Sequence, residues 1–103
     1  MTDEPMTAEQ VAAHNDCKEV IDLQKSLEER YWQVGRHLEV AKHMELHRHM
    51  HRVHRMIGYA LGTTTECEDE IGMGLIHAPR SSQMLVAKAE LAKVKAILDA
   101  HES

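Results

Sequence analysis

"VGRHLEVAKHMEL", residues 34–46, decides whether the N-terminal half of this chain is one long helix or two. Upstream, apolar residues fall three or four positions apart: Val20, Leu23, Leu27, Tyr31, Val34, Leu38 and Ala41. Downstream, a second stripe of Leu46, Met50, Val53, Ile57 and Ala60 repeats the spacing. Each marks an amphipathic helix with one face turned to a core. The stripes are out of phase, because at about 100° per residue the step from Ala41 to Leu46 turns roughly 140°. Either the helix breaks near Lys42–Glu45, or it continues and packs against different neighbours along its length. Gly35 weakens the middle only modestly.

The flanking sequence supplies starts and stops. Residues 1–6 are polar and interrupted by Pro5, an N-terminus expected to fray. Thr7 with Gln10 has capping-box spacing and opens "AEQVAAH"; Asp16 with Glu19 repeats the pattern and offers a start for the long arm. "GTTTE" at 62–66 stops the arm. Thr63–Glu66 and Thr65–Glu68 are further capping boxes, and Glu66, Glu68, Asp69 and Glu70 suit the positive end of a helix that closes near "GMG" at 72–74. "HAPRSS" at 77–82 reads as a loop with Ser81 or Ser82 capping the last helix. That helix has the most regular seam in the chain: Met84, Ala87, Leu91, Val94 and Leu98. The expected fold is a single all-α domain, a helical hairpin of an N-terminal arm (7–61), a capped turn and loop (62–82) and a return helix (83–101). One return helix covers only one of two divergent stripes, so a homo-oligomeric bundle is expected.

Composition agrees. Of 103 residues 43% are apolar but only 3% aromatic, with no Phe, so Leu, Ala, Met, Val and Ile must fill the core, which suits helix packing. Net charge is −5 with His neutral, which argues against generic or sequence-specific DNA binding. The charge is unevenly spread. Residues 36–55 carry Arg36, Lys42, Arg48, Arg52 and Arg55 against Glu39 and Glu45; that excess of three leaves −8 for the remainder, much of it in "ECEDE" at 66–70. Cys17 and Cys67 form no CxxC pair, and no secretory or membrane-length apolar run is present. These features predict a cytoplasmic protein with reduced thiols and no membrane partner.

The run "HMELHRHMHRVHRM" at 43–56 holds five histidines and three arginines. Taking Met50 as zero, His43, His47, His51 and His54 fall at roughly 20°, 60°, 100° and 40°, beside the apolar stripe. Arg48, Arg52 and Arg55 fall at roughly 160°, 200° and 140°, on the far face. Three guanidiniums on one face suit phosphate or carboxylate, and the imidazoles of His47 and His51 add donors. The plainer alternative is a solvated face, or pairing with "ECEDE" of a neighbouring chain. Histidines at i and i+4 can also chelate zinc, nickel or copper, and the metal set would be His43, His47, His51 and His54 with Glu39. No HExxH, nearby cysteine or di-iron pattern supports that set. Against single-stranded nucleic acid stands the lack of stacking rings, since Tyr31 and Trp32 lie four or more turns away along the arm. No nucleophile elbow, phosphate-binding Gly-rich loop or dinucleotide turn is present, so no enzymatic activity is expected.

The stretches "EVIDLQKSLEE" (19–29) and "PRSSQMLVAKAELAKVKAILDA" (79–100), about a third of the chain, resemble the phage-encoded helical-hairpin sponges that sequester cyclic-nucleotide immune signals (anti-CBASS and anti-Thoeris proteins). The His/Arg run inserted between them departs from that pattern, and no binding residue is carried over. The resemblance implies phage origin and an oligomer binding anionic small molecules at helix interfaces. The expectation is a non-enzymatic binder of an anionic, nucleotide-like ligand or acidic protein through Arg48, Arg52, Arg55, His47 and His51. A metal-binding helical protein and a structural assembly component are the alternatives.

Overall fold

The structure, a computed structural model, describes residues 7–67 and 69–102. In chain order it contains α1 (Ala8–Val34), a 3-10 turn (Gly35–His37), α2 (Val40–Leu61), α3 (Glu70–Ile76) and α4 (Arg80–Glu102), with no strand among the described residues. The all-α class is as expected. The expected fraying of 1–6 and the Thr65–Glu68 box lie outside the described residues.

α1 starts at the first predicted cap. Thr7 Oγ1 accepts from the Gln10 amide at 3.1 Å and Gln10 Oε1 accepts from the Thr7 amide at 2.9 Å, which closes the capping box. Asp16 starts nothing. It lies inside α1 and binds Arg80 Nη1 at 2.7 Å.

The predicted long arm is two helices, and the break falls at Gly35–Glu39 rather than Lys42–Glu45. Leu38 and Glu39 are extended (ψ 144° and 149°), and the Leu38 amide returns to the Gly35 carbonyl at 3.1 Å. Gly35 is buried in this corner. A Cβ there would stand 3.3 Å from His43 Cε1 and 3.4 Å from Tyr31 Cε1, so the close approach of the two helix ends suits glycine. The reversal lays α2 antiparallel to α1, with Gln24 meeting His54 and Tyr31 meeting His43. α4 then runs alongside α1 in the same direction. Arg80 reaches Asp16 at one end, and Arg30 holds Asp99 and Glu102 at 2.8 and 2.9 Å at the other.

α1, α2 and α4 thus form a bundle in place of the hairpin, and α2 packs most extensively on α4. Val20 and Leu27 of the first stripe, and Leu46 and Val53 of the second, are at most 2% exposed. Both stripes close on the α4 seam, where Ala87, Leu91, Val94 and Leu98 are fully buried. The phase shift is a bend within one chain, and covering the two stripes requires no second one. At roughly 1.5–3 kcal/mol per fully buried aliphatic side chain, this shared core is the main favourable term in folding. Leu23 falls at the margin, and the neighbouring Gln24 goes inside instead.

The end of the arm falls where expected, while the starts of the next two helices shifted. α2 ends at Leu61 and is capped by Gly62, whose φ of 75° is the left-handed geometry that favours glycine. α3 starts from Asp69, which accepts the Gly72 amide at 2.7 Å, not from Thr63. α4 starts at Arg80, directly after Pro79, whose carbonyl accepts from the Ser82 and Gln83 amides. Ser81 and Ser82 therefore sit in its first turn and do not cap it. Among the described residues no helix is long and apolar enough to cross a membrane.

Candidate functional site

The histidine-arginine run is α2, and the bundle sorts its side chains into separate neighbourhoods. Arg48, Arg52, Arg55 and His51 line a shallow, open cleft between α2 and α3. Met56, Tyr59, Ile71 and Leu75 form its apolar surface, and Asp69 stands on one wall. His47, the fifth expected ligand residue, is not there; it faces the groove between α1 and α2.

Glu66 and Asp69 of the acidic segment lie against the arginines within the same chain, not on a neighbouring one. Arg55 Nη1 donates to the Glu66 carbonyl at 2.7 Å, Nη2 approaches Glu66 Oε2 at 3.5 Å, and Nε donates to His51 Nε2 at 3.2 Å. Arg52 Nη2 reaches Asp69 Oδ2 at 3.5 Å. Tyr59 also donates its hydroxyl to the Glu66 carbonyl, and burial, aided by Cys67, pushes the phenol above its ordinary range. Arg48, exposed, has no hydrogen bond or ion pair among the described residues. The cleft therefore already binds carbonyl and carboxylate oxygens, and among the described residues its Arg48 guanidinium meets none.

The expected metal set is dispersed. His43 is built into the α1–α2 corner, with Nδ1 2.8 Å from Tyr31 Oη and Nε2 on the Gly35 carbonyl. A carbonyl only accepts, so Nε2 carries the proton, and in the neutral ring Nδ1 accepts from the phenol. His54 Nε2 lies 2.8 Å from Glu28 Oε1 and 2.9 Å from Gln24 Nε2. His47 and His51 stack, with ring centroids 6.2 Å apart. Glu39 lies at the far end of α2 beside His37 and Lys42. Among the described residues no three His, Cys, Asp or Glu side chains are placed to share an ion.

Two features were missed from sequence. His49, outside both expected sets, meets Glu90 of α4 at 2.5 Å with Glu90 almost wholly buried. Tyr31 and Trp32, expected four or more turns away on the same arm, lie instead beside His47 and His51 across the α1–α2 groove. Both depend on which helices become neighbours. Of the thiols, Cys17 is buried and raised by that burial, which suppresses the reactive thiolate, while Cys67 is exposed.

No family model matches the sequence, and no curated protein or solved structure matches it. The likeness to the phage sponges rests on the sequence pattern.

Proposed function

We propose that this chain is a non-enzymatic binding protein whose α2–α3 cleft takes a small anionic, nucleotide-like ligand or the carboxylates of an acidic partner. The observation that supports this most is the convergence of Arg48, Arg52, Arg55 and His51 on one cleft with an apolar side. Guanidinium forks match phosphate and carboxylate oxygens, and the apolar surface of Met56, Ile71 and Leu75 suits the uncharged body of such a ligand. Glu66 and Asp69 act as intramolecular stand-ins that an incoming anion displaces. His47 has no part in this site. The transition-metal alternative needs ligands gathered in one place, and no such gathering among the described residues favours it.

The test is titration calorimetry with inorganic phosphate, pyrophosphate and adenosine monophosphate on the whole chain and on Arg48→Gln/Arg52→Gln/Arg55→Gln. Binding that weakens steeply with salt and disappears in the triple variant, with helicity unchanged, is expected. An absence of binding to all three probes up to millimolar concentration, or unchanged binding in the triple variant, removes the proposal.

A further inference from the structure

Trp32 is the most exposed large apolar side chain among the described residues, at 82%, although it is the one tryptophan in the chain. A large ring left in water forgoes the burial that makes tryptophan favourable inside proteins and interfaces. It stands as a ridge between two hollows. On one side is the open α1–α2 groove, walled by Tyr31, Met50, the imidazoles of His47, His51 and His54, and Glu28. On the other is a shallow hollow lined by Lys25 and the carboxylates of Glu28 and Glu29. Val40 and Met44, 74% and 66% exposed, lie on the same face of α2 as His47 and His51 by helical phase, and extend the apolar surface.

We infer that this face binds a second copy of the chain, with each Trp32 entering the partner's α1–α2 groove. A two-fold contact joins a surface to itself, so it requires a patch carrying both a projection and its recess. Here the ridge and the groove are adjacent. The electrostatics fit the same operation: the α1 edge of the patch is acidic and the α2 edge carries imidazoles. Glu28 is already paired with His54 within the chain at 2.8 Å, so an antiparallel two-fold pairing sets Glu29 of each copy over His47 of the other. Trp32 brings roughly 150–250 Å² from each chain, and the exposed Val40 and Met44 add to it, which places the contact among small, reversible interfaces. The result is a reversible dimer. It differs from the oligomer expected from sequence, because the centres of the two stripes that were to hold that one together, Val20 and Leu27 and Leu46 and Val53, are buried within each chain. It uses none of Arg48, Arg52 and Arg55, and meets the anion cleft only at His51, which lines both hollows.

Sedimentation velocity on the full chain from micromolar to millimolar concentration tests it. The expected mass rises from 11.7 kDa towards twice that value, and Trp32 emission shifts to the blue over the same range. Trp32→Ala and Met44→Glu each raise the dissociation constant by about tenfold or more, while Leu85→Glu, exposed on α4, leaves it unchanged. Glu29→Lys and His47→Glu each weaken the dimer, and the two together restore it. A chain that stays monomeric to millimolar concentration overturns the inference, as does a dimer indifferent to Trp32→Ala. Trp32-dependent binding of a monomer to phosphatidylcholine vesicles also overturns it and assigns the ridge to lipid.

Discussion

His49 of α2 and Glu90 of α4 meet at 2.5 Å, Nδ1 to Oε2, and Lys93 approaches the other carboxylate oxygen at 3.4 Å. Burial pushes the Glu90 carboxyl up, but the hydrogen bond from His49 and the charges of Lys93 and His49 outweigh it and hold the group below its ordinary value of 4.5. This is the ionic contact on the most extensive helix interface in the bundle.

A carboxyl whose folded pKa is depressed contributes stability above its unfolded pKa and loses it as pH falls through the folded one. Glu90→Gln keeps the shape and removes the charge. It is expected to cost about 1–3 kcal/mol at neutral pH, or roughly 4–8 °C of melting temperature per kcal/mol. The gap between wild type and variant should narrow as pH is lowered below 4.5. Melting curves across that range check it, and a gap independent of pH would show that the pair does not titrate with folding.

Gly58, on the last turns of α2, is pressed by the following loop. A Cβ there would lie 2.5 Å from Thr64 Cγ2. Gly58→Ala is therefore expected to destabilise by about 1–3 kcal/mol through overpacking, despite the better helix propensity of alanine. Thr64→Ser removes the offending methyl, so Gly58→Ala/Thr64→Ser should recover most of the loss. Denaturant titration of the four proteins gives the coupling, and additivity of the two changes would count against this contact.

The two helical stripes also make opposing predictions about assembly. Val53 and Leu27 are buried inside one chain, at 0% and 2% exposed. Val53→Asp and Leu27→Asp each place an ionisable carboxyl in an apolar core, at a cost of several kcal/mol, roughly the whole stability of a domain this size. Loss of helical circular dichroism at every concentration is expected. A folded chain that merely changes its mass would show that these stripes face a second molecule.

Much of the fold was legible because local rules act locally. Thr7 with Gln10 is a complete cap within four residues, and Met84 to Leu98 repeat an apolar period that nothing nearby interrupts, so both appear in the structure as read. The turn at Gly35–Glu39 was misplaced because the phase of the stripes reports that direction changes, not where. Its position depends on Tyr31 and His43 closing over Gly35, a contact that exists only once α2 has folded back.

The site divided the same way. Helical phase separated the imidazoles from the guanidiniums on α2, and that separation needs only a rise and an angle per residue. Composition and periodicity likewise determined an all-α chain whose aliphatic stripes must be buried. Everything that depends on a neighbouring helix was decided by tertiary structure: Arg55 and Arg52 on the 66–69 segment, His49 on Glu90, His43 in the corner, and Trp32 beside His47. The reason is that a sequence period states which residues share a face, whereas packing at the Gly35 turn and along the α4 seam decides what each face meets.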